Sequence, residues 1–270
     1  MTSTATTVRN GEAELHVEQH GAGPDVLLLC GLGDPLEVWR DQYEALGDRY
    51  RFTGFDNRGV GRTKAPIESI SIPAMASDAA AIVRALGLER PHVMGFSGGG
   101  HIAQAMAIEH PDLVGSLVLC GTFSEMDTLT HRRTDSWLQM AAGAESPEAF
   151  LRSFLTTVYT REAHLDGRVD RWIEEMLASE HPMSDEAFVA TVRALQESET
   201  TSGLHRIAVP TLVISGDADV NIGLSYSREL ADRIPGAALA VMPGQGHQPF
   251  QEVPEDYNAI VNGFWERLAT

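Results

Sequence analysis

Residues 95–99 of this 270-residue chain read Gly-Phe-Ser-Gly-Gly. Of all features of the sequence, this segment most strongly limits the folds that the chain can adopt. The apolar run before them predicts a strand, and the run at 100–108 predicts a helix. A serine on so sharp a turn needs neighbours without bulk two positions away, which Gly95 and Gly99 supply. The turn would raise the Ser97 hydroxyl above a sheet and aim the first helical N–H groups at negative charge forming there. In a simpler interpretation, Ser97 is only the N-cap residue of that helix.

Apolar strands alternate with helices over much of the chain, and this order predicts a parallel sheet with helices on both faces. The predicted strands are residues 26–30, 50–55, 91–94, 113–120, 210–215 and 237–242. Ahead of them, residues 8–21 predict an antiparallel hairpin with a type I′ turn at Asn10-Gly11. We expect residues 1–7 to be a frayed arm leading into the first strand.

Residues 124–205 break this alternation, because helical periodicity dominates there and no β-branched strand segment occurs. Ser146-Pro147-Glu148 and Ser184-Asp185-Glu186 are typical of helix starts. We therefore expect a helical cap or lid at 124–205, inserted into a core made of residues 1–123 and 206–270.

A nucleophilic serine on such a turn requires an acid and then a histidine farther along the chain. Asp217 and Asp219 both follow the strand at 210–215, and His247 follows the last strand. Because parallel strands end at one edge of a sheet, where ligands bind, these side chains should meet Ser97 there. The pattern by itself leaves both aspartates open as the acid.

A second glycine-rich loop, Gly31-Leu32-Gly33, follows the first apolar strand. Alone it would be interpreted as an ordinary turn, but beside the Ser97 turn it predicts an oxyanion hole made by the backbone N–H groups of Leu32 and Gly98. Arg58 could bind an anionic substrate, yet we interpret it as structural. His101, one helical turn after Ser97, is interpreted as a packed helix residue.

Composition limits the possible partners. The chain is 43% hydrophobic and 21% charged, as in ordinary globular proteins, and its 20 basic and 38 acidic residues give a net charge of −18. Such a charge argues against nucleic acid and anionic membranes as partners. Residues 1–7 do not resemble a signal peptide, and Cys30 and Cys120 end apolar strands as core residues would. We expect a cytoplasmic protein.

These motifs together resemble the α/β-hydrolase fold superfamily, in the group of esterases, lactonases, enol-lactonases, cofactor-free haloperoxidases and hydrolases of ring-cleavage products. The resemblance rests on residues 95–99, on Cys30-Gly31-Leu32-Gly33, on Asp56-x-Arg58-Gly59-x-Gly61, on Gly216-x-x-Asp219 and on Gly246-His247. It covers nearly the whole chain, least of all the helical insertion. It implies a mostly parallel eight-stranded sheet flanked by helices, with an inserted helical cap.

The resemblance also implies that the acid is Asp219, in the family's Gly-x-x-Asp position, rather than Asp217. Two departures from related patterns matter. Cys30 stands where the family usually has histidine, which reshapes the loop but leaves its backbone donor in place. Epoxide hydrolases and dehalogenases of this fold have an aspartate nucleophile, and Ser97 argues against those activities.

The sequence thus predicts a serine hydrolase with Ser97, His247 and Asp219 as catalytic residues and Leu32 and Gly98 as the oxyanion hole. The expected substrate is a carboxylic ester or lactone of a medium-sized, partly apolar small molecule, with no cofactor and no metal. Three alternatives stay open: a C–C bond hydrolase of a diketone acid, a perhydrolase, and a non-hydrolytic biosynthetic or binding protein. The expected assembly is a monomer or homodimer.

Overall fold

An eight-stranded sheet forms the centre of the protein in a computed structural model that describes residues 3–269. Its strands are β1 Ser3–Asn10, β2 Ala13–Gly21, β3 Asp25–Leu29, β4 Arg51–Phe55, β5 His92–Phe96, β6 Ser116–Cys120, β7 Thr211–Gly216 and β8 Ala238–Met242. They lie in the order β1-β2-β4-β3-β5-β6-β7-β8. Strand β2 runs antiparallel to both of its neighbours, and all other pairs are parallel. This confirms the mostly parallel sheet predicted from the sequence.

Helices cover both faces of the sheet. They are α1 Arg40–Leu46, α2 Ile72–Leu86, α3 Gly98–Glu109, α4 Thr128–Gly143, α5 Pro147–Phe154, α6 Arg161–Leu165, α7 Arg168–Leu177, α8 Asp185–Glu197, α9 Leu224–Arg233, α10 Pro249–Glu252 and α11 Pro254–Leu268. Helices α2, α3 and α9 pack on one face, and α1 and α11 on the other. Within residues 3–269, every helix falls short of the length and apolar character that a bilayer crossing demands.

Strand β3 shows why a central strand can carry apolar residues at successive positions. Successive side chains of a strand point to opposite faces. Leu27 and Leu29 accordingly join the core beneath α2 and α3, whereas Val26 and Leu28 join the core beneath α1 and α11. All four side chains are fully buried. Each contributes about 2 kcal/mol through removal of apolar surface from water, and a charged side chain at any of these four positions would be costly to bury.

The N-terminal arm differs from expectation. Residues 3–7, predicted to fray, continue β1 and pair with β2 from Ser3 to Asn10, while Met1 and Thr2 lie outside the described residues. Pairing with β2 satisfies the backbone N–H and C=O groups of this arm, although its side chains are mostly exposed. The hairpin loop is Gly11-Glu12 and, of these two, only Gly11 has positive φ, at 59°. That is the pattern of a type II′ turn, not the predicted type I′ turn at Asn10-Gly11.

The segment between β6 and β7, all of which the structure describes, contains five helices, α4 to α8, and no strand. Side-chain oxygens of Asp127, Ser146, Thr160 and Ser184 accept N-cap hydrogen bonds at the starts of four of them. Part of the segment has its own apolar cluster around Leu155 and Ile173. The helical character agrees with the sequence pattern, and the division at residues 124 and 205 stays a prediction.

Candidate active site

Ser97 lies between the last residue of β5 and the first residue of α3, in a backbone conformation that few non-glycine residues adopt. Its φ is 53° and its ψ is −120°. The surrounding glycines make this turn possible. A Cβ atom on Gly95 would lie 2.4 Å from the carbonyl oxygen of Gly99, and one on Gly99 would lie 2.2 Å from that of Leu29. The chain can therefore turn sharply enough to project the hydroxyl at the carboxyl edge of the sheet.

Three side chains predicted from the sequence meet at this edge. The Oγ atom of Ser97 is 3.1 Å from Nε2 of His247, and Nδ1 of His247 is 2.8 Å from Oδ2 of Asp219. The carboxylate of Asp219 accepts a hydrogen bond from Nδ1–H, so Nε2 is left as the acceptor for the Ser97 hydroxyl. This arrangement can take a proton from Ser97 and stabilise the imidazolium that results.

The structure distinguishes the two aspartates. Asp219 is buried, and its Oδ1 accepts backbone N–H bonds from Asn221 at 2.7 Å and Ile222 at 2.9 Å. These bonds leave Oδ2 directed at His247. Asp217 is exposed and accepts a bond from the backbone N–H of Gly244. The carboxylate that meets His247 is therefore that of Asp219.

The His247 loop is held in place from two sides. The imidazole, 3% exposed, packs against the ring of Phe96 with 4.8 Å between ring centroids. Its backbone N–H donates to the carbonyl oxygen of Val158, in the helical segment between β6 and β7, at 3.0 Å. A second link joins the same parts of the chain, because the buried Glu252 carboxylate accepts bonds from the N–H and hydroxyl of Thr160. The loop thus depends on the helical segment for its position.

Leu32 and Gly98 lie side by side next to Ser97. A Cβ atom built on Gly98 would be 3.8 Å from the backbone nitrogen of Leu32. A small recess adjoins these two residues, lined by Ile102 of α3 and Leu195 of α8 among others. Gly98 begins helix α3, so its N–H is one of the helix's unpaired donors. The two residues predicted to form the oxyanion hole are thus close to one another, and their role stays a prediction.

Sequence reasoning missed Asp34, two residues after Leu32. Its carboxyl group is 9% exposed, and Oδ2 accepts a bond from the side-chain amide of Gln248 at 3.3 Å. Burial raises the pKa of Asp34 from 3.8 to about 7, although His247 and Gln248 act in the opposite direction. The available signal was an acidic residue in a glycine-rich loop at the carboxyl edge of the sheet.

The other polar residues considered from sequence have structural partners. Arg58 is buried, binds both carboxylate oxygens of Asp78 at 2.6 and 2.8 Å, and donates to Ser69. Both ring nitrogens of His101 are occupied, by the carbonyl of Phe123 and the hydroxyl of Ser198. Across residues 3–269, no three His, Cys, Asp or Glu side chains are grouped as metal ligands would be.

The fold and this site define the chain as an α/β-hydrolase. The sequence profile of the α/β hydrolase fold family matches residues 24–253, and the chain belongs to that family. It is 32% identical over 256 residues to a protein of Caulobacter sp. strain K31 named "Putative carbamate hydrolase RutD", covering 93% of this chain and 95% of that one.

Two solved structures resemble it closely. A thermophilic esterase from Thermogutta terrifontis superposes with a TM-score of 0.86 at 25% identity, covering 99% of this chain and 100% of that one. The enol-lactonase from Burkholderia xenovorans LB400 has a TM-score of 0.87 at 24% identity, with 97% of this chain and 100% of that chain covered. The chain is thus a hydrolase of this family, and the enol-lactonase similarity bears on the fold alone.

Proposed function

We propose that the protein hydrolyses carboxylic esters or lactones of small, partly apolar molecules, with Ser97 as nucleophile, His247 as base and Asp219 as acid. The observation that carries this proposal is the continuous hydrogen-bonded chain from Ser97 through His247 to Asp219, formed by three separate loops. The similarity to the Thermogutta terrifontis esterase supports it.

In the proposed reaction, the Ser97 oxygen attacks the carbonyl carbon while its proton passes to Nε2 of His247. The N–H groups of Leu32 and Gly98 hold the developing oxyanion, and each such donor contributes about 3 kcal/mol to the transition state. The imidazolium then gives its proton to the leaving oxygen, and the bond between that oxygen and the carbonyl carbon breaks. A water, deprotonated by His247, then attacks the acyl carbon. The bond from that carbon to the Ser97 oxygen breaks, and the imidazolium returns its proton to that oxygen, which restores Ser97 and releases the acid.

We further propose that residues 124–205 act as a lid over this site. A Cβ atom on Gly98 would meet the Leu195 side chain of α8 at 3.4 Å. One on Gly33 would lie 3.5 Å from the sulfur of Met183, in the connection leading to α8. Helical-segment side chains therefore lie directly over both glycine-rich loops, where they would shape an apolar acyl pocket.

A second candidate is carbamate hydrolysis, favoured by the name of the Caulobacter relative. It uses the same three residues and the same acyl-transfer steps. The C–C hydrolase alternative is less favoured, because Arg58, its one candidate for holding a substrate carboxylate, is bound to Asp78 and Ser69. Perhydrolysis and a non-hydrolytic role are left as outcomes of the tests.

Labelling with a serine-reactive fluorophosphonate, followed by peptide mass mapping, tests the nucleophile without a guess about substrate. Ser97 should be modified rapidly, and Ser97→Ala should abolish both labelling and ester turnover. Ser198→Ala is a matched control, since Ser198 also lies 3.1 Å from a histidine Nε2, that of His101, but lies outside the proposed site. Failure to label folded wild-type protein would refute the proposed hydrolase mechanism and favour the non-hydrolytic alternative.

A further inference from the structure

Asp34 is a buried residue whose carboxyl group has one oxygen without a hydrogen-bond partner among residues 3–269. Its Oδ2 accepts from Gln248, but Oδ1 has no hydrogen-bond partner within residues 3–269. The absence of a Cβ atom at Gly31 permits this position, because such an atom would lie 2.9 Å from Oδ2 of Asp34. Although the residue as a whole is buried, Oδ1 itself is not fully enclosed. It is therefore free to accept a hydrogen bond from a ligand that donates one.

Among residues 3–269, no lysine or arginine interacts with the Asp34 carboxyl group. The titratable groups that interact with it are the His247 imidazole, the Tyr159 hydroxyl and the Cys30 thiol. Burial keeps the pKa of Tyr159 and that of Cys30 well above their ordinary values, so neither ionises near neutral pH. Asp34 therefore lacks the lysine or arginine that usually accompanies a buried carboxylate.

Asp34 lies close to the proposed base, because it interacts with His247 and accepts a hydrogen bond from the next residue, Gln248. It follows Leu32 by two residues, so the two Cα atoms are at most about 7 Å apart. It also interacts with His247, which contacts Ser97. A substrate whose carbonyl oxygen is held by Leu32 would have the atoms bonded to that carbonyl carbon within reach of an aspartate side chain.

We propose that Asp34 is a specificity-determining residue that accepts a hydrogen bond from an N–H group bonded to the scissile carbonyl, so that the site selects carbamates over the corresponding esters. The inference rests on the proposed function, which it narrows to a substrate class. Only the ionised carboxylate is a pure acceptor, so this preference should strengthen as pH rises through the range in which Asp34 ionises. A substrate carboxylate at the same position would be repelled.

Two substrates that differ by one group test the inference. In p-nitrophenyl N-ethylcarbamate an N–H stands where p-nitrophenyl butanoate has a CH₂, and both release p-nitrophenol when Ser97 is acylated. The measured quantity is the ratio of their acylation rate constants in wild type, Asp34→Asn and Asp34→Leu, with Ser97→Ala as the background. Because release is measured in the first turnover, a slow second step with the carbamate does not affect the comparison.

We expect the carbamate-to-ester ratio to fall about 10- to 100-fold in Asp34→Leu, as for loss of one hydrogen bond to a charged acceptor. A smaller fall is expected in Asp34→Asn, which keeps the shape and one acceptor oxygen. The wild-type ratio should rise between pH 6 and pH 8, whereas the Asp34→Asn ratio should stay flat. Far-UV circular dichroism and thermal unfolding of each variant report whether it is folded.

Two results would overturn the inference. One is an unchanged ratio in both variants; the other is an equal loss for both substrates, which would assign Asp34 to a step that esters and carbamates share. If Asp34→Leu does not fold, the pH profile of Asp34→Asn decides the question. Failure of wild type to release p-nitrophenol from either substrate, together with no fluorophosphonate labelling, would refute the proposed function itself and the inference with it.

Discussion

Nδ1 of His247 lies 2.8 Å from Oδ2 of Asp219, while the other oxygen of the same carboxylate accepts two backbone N–H bonds. Both oxygens of the Asp219 carboxylate therefore accept hydrogen bonds. A donor group in the place of either oxygen would face another donor. This sets the orientation of the imidazole and decides which nitrogen carries its hydrogen. The role of Asp219 can therefore be tested by replacing one carboxylate oxygen with an NH₂ group, as in Asp219→Asn.

Asp219→Asn should lower kcat about 10³- to 10⁴-fold with little loss of stability. The amide oxygen is needed by the N–H groups of Asn221 and Ile222, so the NH₂ group must face Nδ1 of His247. That contact favours the tautomer with hydrogen on Nε2, which cannot accept the proton of Ser97. Steady-state kinetics with an activated ester measures the effect. Asp217→Asn is the control, and equal losses in both variants would contradict the assignment.

Ser97→Gly should be more stable than Ser97→Ala by about 1 kcal/mol, although both lack the hydroxyl. The φ of 53° at this position is strained for alanine and serine and free of strain for glycine. Part of that gain is offset by the larger conformational entropy of glycine in the unfolded chain. Denaturant unfolding of the two variants gives the difference. Equal midpoints would contradict the expectation that the strain at Ser97 exceeds the entropic cost of glycine.

Gly99→Ala should destabilise the protein by about 3 kcal/mol or prevent folding. Its Cβ atom would lie 2.2 Å from the carbonyl oxygen of Leu29 and 2.5 Å from that of Cys30, so α3 and β3 would have to separate. Gly143→Ala is the matched control at the end of α4, where a Cβ atom has no neighbour within 4 Å. That variant should gain about 0.5 kcal/mol. Thermal unfolding compares both, and similar effects would contradict the packing argument.

Asp34→Asn should make the protein more stable than wild type at pH 8 but not at pH 4. The raised pKa means that the folded state holds its proton up to about pH 7, whereas the unfolded carboxyl loses it near 3.8. Stability from this group is therefore fully present below pH 3.8 and is lost as pH rises to 7, by up to about 4 kcal/mol. Free energies of unfolding at several pH values measure this. A difference between the two proteins that does not vary with pH would contradict the assignment.

The convergence of Ser97, Asp219 and His247 could be predicted because topology, not side-chain detail, brings them together. Parallel strands bring β5, β7 and β8 to one edge of the sheet, and each is followed by one of these residues. The fold was predictable for the same reason, since alternation of apolar strands with helices leaves few arrangements.

Asp34 and the first residues of β1 could not be predicted in this way. The burial of Asp34 depends on how Gln248 and His247, more than two hundred residues later, close over its loop. The strand at Ser3 to Thr7 depends on available ladder positions in β2, and its own side chains, mostly exposed, show no apolar pattern. In both cases the structure depends on contacts with residues outside the local segment, so the local sequence does not predict it.

The bond from the N–H of His247 to the carbonyl of Val158 has a consequence for engineering and for evolution. Because it involves backbone atoms, any residue at position 158 can supply it, and sequence drift within the helical segment does not endanger it. Replacing the whole segment with that of a relative would instead remove the support of the base unless the graft presents a carbonyl at the same point. If the segment acts as the proposed lid, substrate range can diversify through side chains on α4, α5 and α8, while the path of the main chain near residue 158 has to be inherited.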